Sequence, residues 1–326
     1  MGDAKWESNV AIVRAASASA APITGYKYPL AKKVTVNETP IIYEQKAQPH
    51  PDITRQYPAG FQYDWSIEGI EASANIFGYL MALWFGTHIY SAGIIVITGG
   101  TTKEFLNILI DRGLDLGTSQ PTERLVGCQI ESWDLVCNYN EVATLSIRGK
   151  ACDRGALDAA LVVTVPSGAL EAPLSWAALQ AGDFEVGYNG GTLAQDDDIT
   201  KFTISGSWAS VERGRNLGSD QPTDLRPGRE RVITYGFDKE FSGAGAIADY
   251  TAFIAQQDVE MCAKFLMDTN YVQIDVQYAQ ITKTYPGDIG DEDGPIMAGI
   301  EARARWGGAI AASVTVEDAS TAVYWA

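Results

Sequence analysis

The alternation of apolar residues is clearest between Gly127 and Ala151, in the segment GCQIESWDLVCNYNEVATLSIRGKA. Every second residue from Trp133 to Cys137 is apolar, and the same period returns from Ala143 to Ile147. The residues between the two runs, Asn-Tyr-Asn-Glu, are typical of a turn. The pattern predicts a long β-hairpin with one buried face, and this face includes Leu135, Leu145 and Ile147.

A rough counterpart of this hairpin lies near the C-terminal end of the chain. Apolar residues alternate along an outgoing strand and again along a return strand: Val272, Ile274, Val276 and Tyr278 on the first, and Ile300, Ala302, Ala304 and Trp306 on the second. The connection from Tyr285 to Pro295 is long, acidic and rich in glycine. We therefore expect this connection to project from the domain instead of forming a tight turn.

A strand followed by a helix precedes each hairpin. Alternating apolar residues from Phe61 to Ile67 predict the first strand, and IEASANIFGYLMALWFG predicts a helix that Gly86 ends. The second pair is the strand RERVITYGF, at residues 229–237, and a helix over residues 245–257. We expect a mainly β fold with two tandem β-sandwich or barrel domains, each with a short α-helix and a long β-hairpin.

Two nearly identical heptapeptides suggest another repeat register. LGTSQPT occupies residues 116–122 and LGSDQPT occupies residues 217–223, and this spacing disagrees with the alignment of strands, helices and hairpins. Glycine and proline fix tight turns, so we interpret the heptapeptide as loop chemistry that recurs before a strand.

The expected boundaries divide the chain into four parts. These are an N-terminal extended arm (1–55), a first β domain (56–165), a connecting segment (166–200) and a second β domain (201–326). The arm is rich in alanine, serine and proline and has no sustained apolar period, so we expect it to become ordered only on assembly.

The chain is strongly acidic. It has 24 lysine and arginine residues against 41 aspartate and glutamate residues, with a formal net charge of −17. A protein that holds duplex DNA presents a basic face, so the composition argues against stationary duplex binding. The N-terminal region has no apolar core of a secretory signal, and no apolar run is long enough to span a membrane. We therefore expect a soluble protein that is made in the cytoplasm.

The sequence lacks motifs for catalysis or metal binding. It has no GxSxG, no glycine-rich phosphate loop and no HExxH segment. The four cysteines do not have the spacing of a metal site, and we expect buried, reduced thiols. The acidic clusters at residues 196–198 and 288–293 lack the spacing of an EF-hand and are interpreted as solvated loops. We expect no enzyme activity, no cofactor and no bound metal.

The order of elements resembles the major tail tube proteins of long-tailed, siphovirus-like bacterial and archaeal viruses, in their two-domain form. The segments that carry the resemblance are the hairpin GCQIESWDLVCNYNEVATLSIRGKA, the loop and strand LGSDQPTDLRPGRERVITYGF, and the ending ITKTYPGDIGDEDGPIMAGIEARARWGG followed by ASVTVEDASTAVY. It covers residues 60–326. The short members of the family have one β domain, so the length of this chain departs from the simplest family pattern.

The resemblance implies a structural virion protein of the viral tail that is assembled in the host cytoplasm. Tail tube proteins polymerise as stacked rings, and their hairpins join into one β-barrel channel for the viral genome. The implied partners are further copies of the chain, a tape measure protein, tail terminator or baseplate proteins, and viral DNA that passes without tight binding. A trimeric ring with pseudo-sixfold symmetry and a hexameric ring are both open.

The hairpins supply the candidate residues for this role. Alternation places polar side chains opposite the apolar face, so the lumen-lining candidates are Glu131, Asp275, Glu301, Arg148, Arg303 and Arg305. The residues expected to hold the assembled hairpins together are Leu135, Leu145, Ile147, Val276 and Ile300. The candidates for ring stacking are Asp288, Asp291, Glu292 and Asp293. We expect a net negative channel in which the arginines pair with carboxylates.

A surface β-sandwich that binds carbohydrate or a receptor is the alternative class. Eight tryptophans and fifteen tyrosines would supply stacking platforms for sugars. Most of them, however, lie on alternating faces of the expected strands, where packing in a core explains them.

Overall fold

The structure is a computed structural model. It describes residues 9–18, 26–46, 53–111, 122–158, 171–196, 198–215, 222–240, 244–267, 270–286, 297–305 and 312–317. These residues form a mainly β fold with three helices, as the sequence predicts. None of these helices is long and apolar enough to cross a membrane.

The elements fall into two halves. The first half contains β1 (Asn9–Ala15), β2 (Lys33–Lys46), β3 (Ile53–Glu71), α1 (Ala74–Phe85), β4 (Gly86–Ser91), β5 (Ile94–Gly99), β6 (Phe105–Asp111), β7 (Thr122–Asn138), β8 (Thr144–Ala151) and β9 (Asp153–Asp158). The second half contains α2 (Trp176–Gly182), β10 (Phe184–Tyr188), β11 (Ala194–Gln195), β12 (Ile199–Arg215), β13 (Pro222–Glu240), α3 (Ala244–Ile254), β14 (Asp258–Met267), β15 (Asn270–Pro286), β16 (Met297–Ala304) and β17 (Ala312–Glu317).

Strands β7 and β8 form the first predicted hairpin. They pair antiparallel, with Trp133 opposite Ile147 and Leu135 opposite Leu145. All four side chains are buried, as are those of the other apolar residues in the pattern. The prediction of a hairpin with one buried face is therefore confirmed.

Strands β15 and β16 form the second predicted hairpin, with one correction. The residues Val272, Ile274 and Val276 are buried, but Tyr278 is not in phase with them, and Ala279 is buried instead. The pairing of β14 with β15 jumps from Val276 to Ala279, which marks a β-bulge in β15. A bulge adds one residue to a strand, so it shifts the alternation by one position, which a simple period of two does not predict.

Helix α1 has well-defined signals at both ends. The Ser73 hydroxyl accepts a hydrogen bond from the backbone N–H of Ile76, which caps the first turn. Gly86 ends the helix in the left-handed conformation at φ 78°. Helix α3 also lies where the sequence predicts it, whereas the short helix α2 has no counterpart among the predicted elements.

The two halves repeat one pattern of strand pairing. In the first half β3 pairs with β2 and β8, and β8 pairs with β7. In the second half β13 pairs with β12 and β16, and β16 pairs with β15. Both halves therefore contain a unit of four strands, in the order 2-3-8-7 and 12-13-16-15, and each unit has its helix after the second strand in the chain.

Three β-bulges lie at corresponding places in the two units. The register of β7 with β8 shifts between Ile130 and Ser132, and that of β15 with β16 shifts between Ile281 and Lys283. Corresponding shifts also occur between β6 and β7 and between β14 and β15, and again between β2 and β3 and between β12 and β13. Bulges occur at particular positions in a strand, so their presence at matching positions in both units supports a structural repeat of strand, helix and hairpin.

The N-terminal region contains more structure than the expected arm 1–55. Strand β1 pairs with β6 and contributes buried Val10, Ile12 and Val13, and β2 pairs with β3 along most of its length. The expected connecting segment 166–200 likewise contains α2, β10 and β11. Strand β1 buries four consecutive residues, from Val10 to Val13, so it lacks the alternation by which the sequence would reveal a strand with one buried face.

The heptapeptides lie at different places in the repeat. Residues 116–121 and 217–221 are outside the described residues, but β7 begins at Thr122 and β13 begins at Pro222. By its pairing, β7 corresponds to β15, and β13 corresponds to β3. The two heptapeptides therefore precede different strands of the unit, which agrees with their interpretation as recurrent loop chemistry.

Candidate functional site

The two four-stranded units join into one eight-stranded sheet. Strand β7, the last of the first unit, pairs antiparallel with β12, the first of the second unit, from Ser132–Ser207 to Asn138–Lys201. The resulting order is β2-β3-β8-β7-β12-β13-β16-β15. A second link lies outside this sheet, where β5 pairs with β17. One hydrophobic core cluster includes residues from both units.

The eight-stranded sheet has one apolar face and one polar face. Its buried face packs against the helices and outer strands, with residues such as Trp65, Ile147, Ile204 and Tyr235. The opposite face, named here the polar face, consists mostly of threonine, serine, asparagine and charged residues at the alternate positions. A concavity on this face lies over β12, β13 and β16, around Gly236. Such a sheet has one side that suits a core and one side that suits water.

Charged side chains on the polar face pair with each other. Lys283 lies 3.1 Å from Glu301, Lys201 lies 3.9 Å from Asp238, and Arg148 lies 4.0 Å from Glu68, each measured from nitrogen to carboxylate oxygen. Arg303 contacts Glu230 at 2.5 Å. Over its described residues the face thus carries both signs, and its arginines pair with carboxylates.

The structure brings five of the six lumen-lining candidates to this surface or its rim. Glu131, Arg148, Glu301 and Arg303 lie on the polar face, and Arg305 follows the end of β16 and contacts Asp258. Asp275 lies elsewhere, since its part of β15 pairs with β14 and β17 instead of β16. Its carboxylate accepts hydrogen bonds from Gln273 at 2.9 and 3.1 Å.

The hairpin-assembly candidates are all buried within the single chain. Leu135, Leu145, Ile147 and Val276 are fully enclosed, and Ile300 is 4% exposed. They pack each hairpin against the core of its own chain. The stacking candidates Asp288, Asp291, Glu292 and Asp293 lie outside the described residues.

Polar contacts fix the backbone where β7 meets β12. Glu131, in the β7 bulge, accepts a hydrogen bond of 2.6 Å from the backbone N–H of Ser210. The Lys103 ammonium donates to the carbonyl of Trp208 and, at 3.0 Å, to the Ser210 hydroxyl. Burial lowers the pKa of Lys103 to about 7, although the nearby Glu131 carboxylate acts in the opposite direction.

Aromatic residues fill the core of the same junction. Trp84, from α1, meets Trp133 of β7 at 5.7 Å and Trp208 of β12 at 6.2 Å between ring centroids, both edge to face. The Arg231 guanidinium lies over the Trp208 ring at 5.1 Å. Gly206 of β12 packs against the Trp84 and Trp133 rings. The pairing of the two units is therefore a fully packed interface.

Both ends of the eight-stranded sheet are open among the described strands. At one end, β2 pairs with β3 alone. At the other end, β14 pairs with β15 only as far as Gln280, so residues 281–286 pair with β16 on one side and with no described strand on the other. Unpaired strand edges expose N–H and C=O groups and favour pairing with another strand.

The described residues show little that favours the alternative functions. All four cysteines are buried and free, and burial raises the pKa of Cys137 and Cys152 to about 12, which keeps these two thiols protonated at neutral pH. The five tryptophans in the described part of the chain are all buried, and none of them offers a face for stacking a sugar. Within the same part, no group of three histidine, cysteine, aspartate or glutamate residues could hold a metal ion.

The fold defines a mainly β protein in which two copies of one unit are joined edge to edge. No protein-family model and no curated protein matches the chain. A chain in the tail of an empty gene transfer agent particle is similar in structure, with 13% identity and a TM-score of 0.30 over 39% of this chain and 92% of that chain.

Two components of the anti-feeding prophage are also similar. The tube-terminating cap shares 14% identity at a TM-score of 0.30, covering 47% of this chain and 98% of that chain. The baseplate shares 8% identity at a TM-score of 0.27, covering 37% and 86%. All three are tail components of phage-like particles.

Proposed function

We propose that the chain is a tail tube subunit that assembles into rings, and that stacked rings form a channel for viral DNA. The eight-stranded sheet with two open ends and one polar face carries this proposal. Closing such sheets into a barrel satisfies both edges, and the polar faces then line a water-filled interior. The apolar face stays packed against the helices and outer strands on the outside of the barrel.

The dimensions favour three chains in a ring. Three chains of eight strands make a barrel of 24 strands, with a backbone diameter of ~48 Å for strands ~4.8 Å apart and tilted by ~40°. Side chains narrow the interior by ~10 Å, which leaves room for a hydrated DNA duplex. Six chains would double the diameter and leave a channel far wider than one duplex needs.

The surface chemistry suits a conduit more than a binding site. Lysine and arginine on the polar face are paired with carboxylates, so few cations remain to hold phosphate groups. The chain as a whole is acidic and therefore repels the phosphate groups of DNA. DNA would therefore pass without tight binding. In the virion tail, the further partners would be a tape measure protein inside the tube and terminator or baseplate proteins at its ends, with assembly in the host cytoplasm.

Negative-stain electron microscopy of the purified protein tests this function. We expect rings or tubes with a central channel, at concentrations where the protein stays soluble. Dispersed monomers across a range of concentrations and salt conditions would contradict the proposal. They would favour the alternative of a surface β-sandwich module that binds carbohydrate or a receptor.

A further inference from the structure

We propose that the junction between β7 and β12 inside each chain is repeated between neighbouring chains, where β15 of one chain pairs with β2 of the partner subunit. This inference rests on the proposed ring and specifies which residues close it. Strand β15 corresponds to β7 in the repeat, and β2 corresponds to β12. The open ends of the sheet are therefore the two sides of the junction that each chain already contains once.

The internal junction sets the register of the proposed one. The bulge that precedes Ser132 in β7 corresponds to the bulge that precedes Lys283 in β15. Each lies where the pairing with the return strand of its hairpin, β8 or β16, shifts by one residue. On the other side, the shift after Pro40 in β2 corresponds to the shift after Trp208 in β12. Since Ser132 pairs with Ser207, the same register places Lys283 opposite Thr39 of the partner subunit.

Burial along β2 indicates that a neighbour is missing in the single chain. Phe202 and Ile204 of β12 point into the core beside β7, with 0% and 2% of their surface exposed. The corresponding residues of β2, Val34 and Val36, point the same way but are only half-buried. Both have the core of their own unit on one side, and β15 of the next chain would lie on the other side of Val36.

Helix α3 supplies a second, independent observation. Its residues Tyr250 and Ile254 are 50% and 63% exposed, although both are large and apolar. Counted from the first residue of each helix, the matching positions of α1 are Leu80 and Trp84, which are 1% and 0% exposed. Trp84 is covered by β12 of the second unit, through Trp208 and Gly206. By the same geometry, β2 of the partner subunit would cover the exposed residues of α3.

Disulfide trapping in assembled protein tests the register. Directly opposed residues of antiparallel strands have Cα atoms ~4.5–5.5 Å apart, within the range of a disulfide, whereas partners two residues out of register are ~7–8 Å apart. We expect the variant Thr39→Cys with Lys283→Cys to form disulfides between chains under mild oxidation. The matched control Asn37→Cys with Lys283→Cys should form at least tenfold less. All three positions are exposed in the single chain, and the native cysteines are buried.

The internal junction supplies a positive control. The variant Ser132→Cys with Ser207→Cys should close a disulfide within each chain, which confirms that this register permits the bond. On a denaturing, non-reducing gel, the test variant should give covalent dimers and a closed trimer as the largest product. A product of six chains would retain the register and overturn the three-chain ring.

The remaining outcomes separate this inference from the proposed function. Tubes could form while the control pair, at residues 37 and 283, cross-links better than the test pair, or while neither pair cross-links. In both cases the register is wrong and the tube function stands. If the unmodified protein forms neither rings nor tubes, the function itself fails. Hydrogen exchange on the unmodified protein decides independently of any cysteine: assembly should slow every second amide of residues 36–39, which lie opposite residues 283–286 in the proposed register, by about tenfold or more. Unchanged exchange in tubes would overturn the pairing of β2.

Discussion

Gly206 shows how closely the two units approach each other. A Cβ atom added at this position would lie 2.4 Å from Nε1 of Trp133 and 2.8 Å from the Trp84 ring. Both rings are enclosed, so they have little room to move away. The absence of a side chain at Gly206 is therefore what allows β12 to pack directly on the aromatic core of the first unit.

Replacing Gly206 by valine should destabilise the unassembled protein by roughly 2–3 kcal/mol, because overpacking displaces two buried tryptophans. Urea unfolding followed by tryptophan fluorescence measures the change. Ser205→Val, on the opposite face of the same strand, is the control and should shift stability by no more than ~0.5 kcal/mol. Equal stability of the two variants would contradict the tight packing at the junction.

Lys103 gives the same junction a dependence on pH. Burial lowers its pKa to about 7 in the folded chain, whereas an unfolded lysine keeps its ordinary value. Between these two values the unfolded state binds more protons, so this residue stabilises the folded state more as the pH rises. Its contribution is fully present above the unfolded pKa and is lost as the pH falls through about 7.

Comparison with Lys103→Met isolates this contribution. The stability of the unmodified protein relative to the variant should rise by ~1 kcal/mol per pH unit between pH 7.5 and 8.5. Buried thiols have raised pKa values and act in the opposite direction, but they are common to both proteins. Urea midpoints of both proteins at several pH values provide the measurement. If stability changes with pH in parallel for the two proteins, Lys103 is not buried in its neutral form.

At the scale of elements, the two helices occupy corresponding positions with different surroundings. Helix α1 is enclosed because the second unit covers it, whereas one side of α3 is open because no further unit covers it among the described residues. Two apolar side chains of α3, Tyr250 and Ile254, thus remain on the surface of the single chain. Two large apolar residues at helical spacing, Tyr250 and Ile254, are then expected to carry much of the energy of association.

Substituting both residues, Tyr250→Glu with Ile254→Glu, should prevent ring closure and leave the single chain folded. The physical reason is that two carboxylates would be buried without partners in the contact between subunits. Sedimentation and electron microscopy measure assembly, and circular dichroism checks the fold. Ile89→Glu is the control, since Ile89 is equally exposed on β4, a strand without a counterpart in the second unit. Normal rings from the double variant would refute the role of α3.

The sequence predicts the elements whose side chains alternate or repeat over many residues. The hairpin at Trp133 to Ile147 and the helix ended by Gly86 belong to this class, since long apolar periods and caps are local signals. The bulge before Ala279 has no such signal in the neighbouring sequence, because its position depends on the pairing with another strand. The pairing of β7 with β12 has no local signal either, so the surface that joins the units could not be found from the pattern alone.

At the scale of the whole molecule, the repeat makes the connections between strands alternate around the ring. The link from β7 to β8 spans only residues 139–143, whereas the corresponding link from β15 to β16 spans residues 287–296. A ring of three chains would therefore carry three short and three long connections on the same rim. We propose that the long, acidic ones contact the next ring.

Shortening the long connection to Asn-Gly should leave folded rings that stack poorly, because the contact between rings would be lost. Electron microscopy of tube length at fixed protein concentration measures stacking. A control that keeps the length, with Asp288→Asn, Asp291→Asn, Glu292→Gln and Asp293→Asn, separates the effect of length from that of charge. Long tubes from the shortened protein would exclude a stacking role.

The β4–β5 hairpin belongs to the first half of the chain only, and the second half has no such hairpin between α3 and β14. The inside and the outside of such a ring would therefore repeat at different angles of rotation. A molecule in the channel would meet a similar four-stranded unit at every sixth of a turn. A protein that grips the outer wall would meet the exposed Ile89 and Tyr90 only at every third of a turn. Cargo and outer partners would therefore experience two different symmetries of one tube, so a sixfold collar could engage the wall through only half of its equivalent sites.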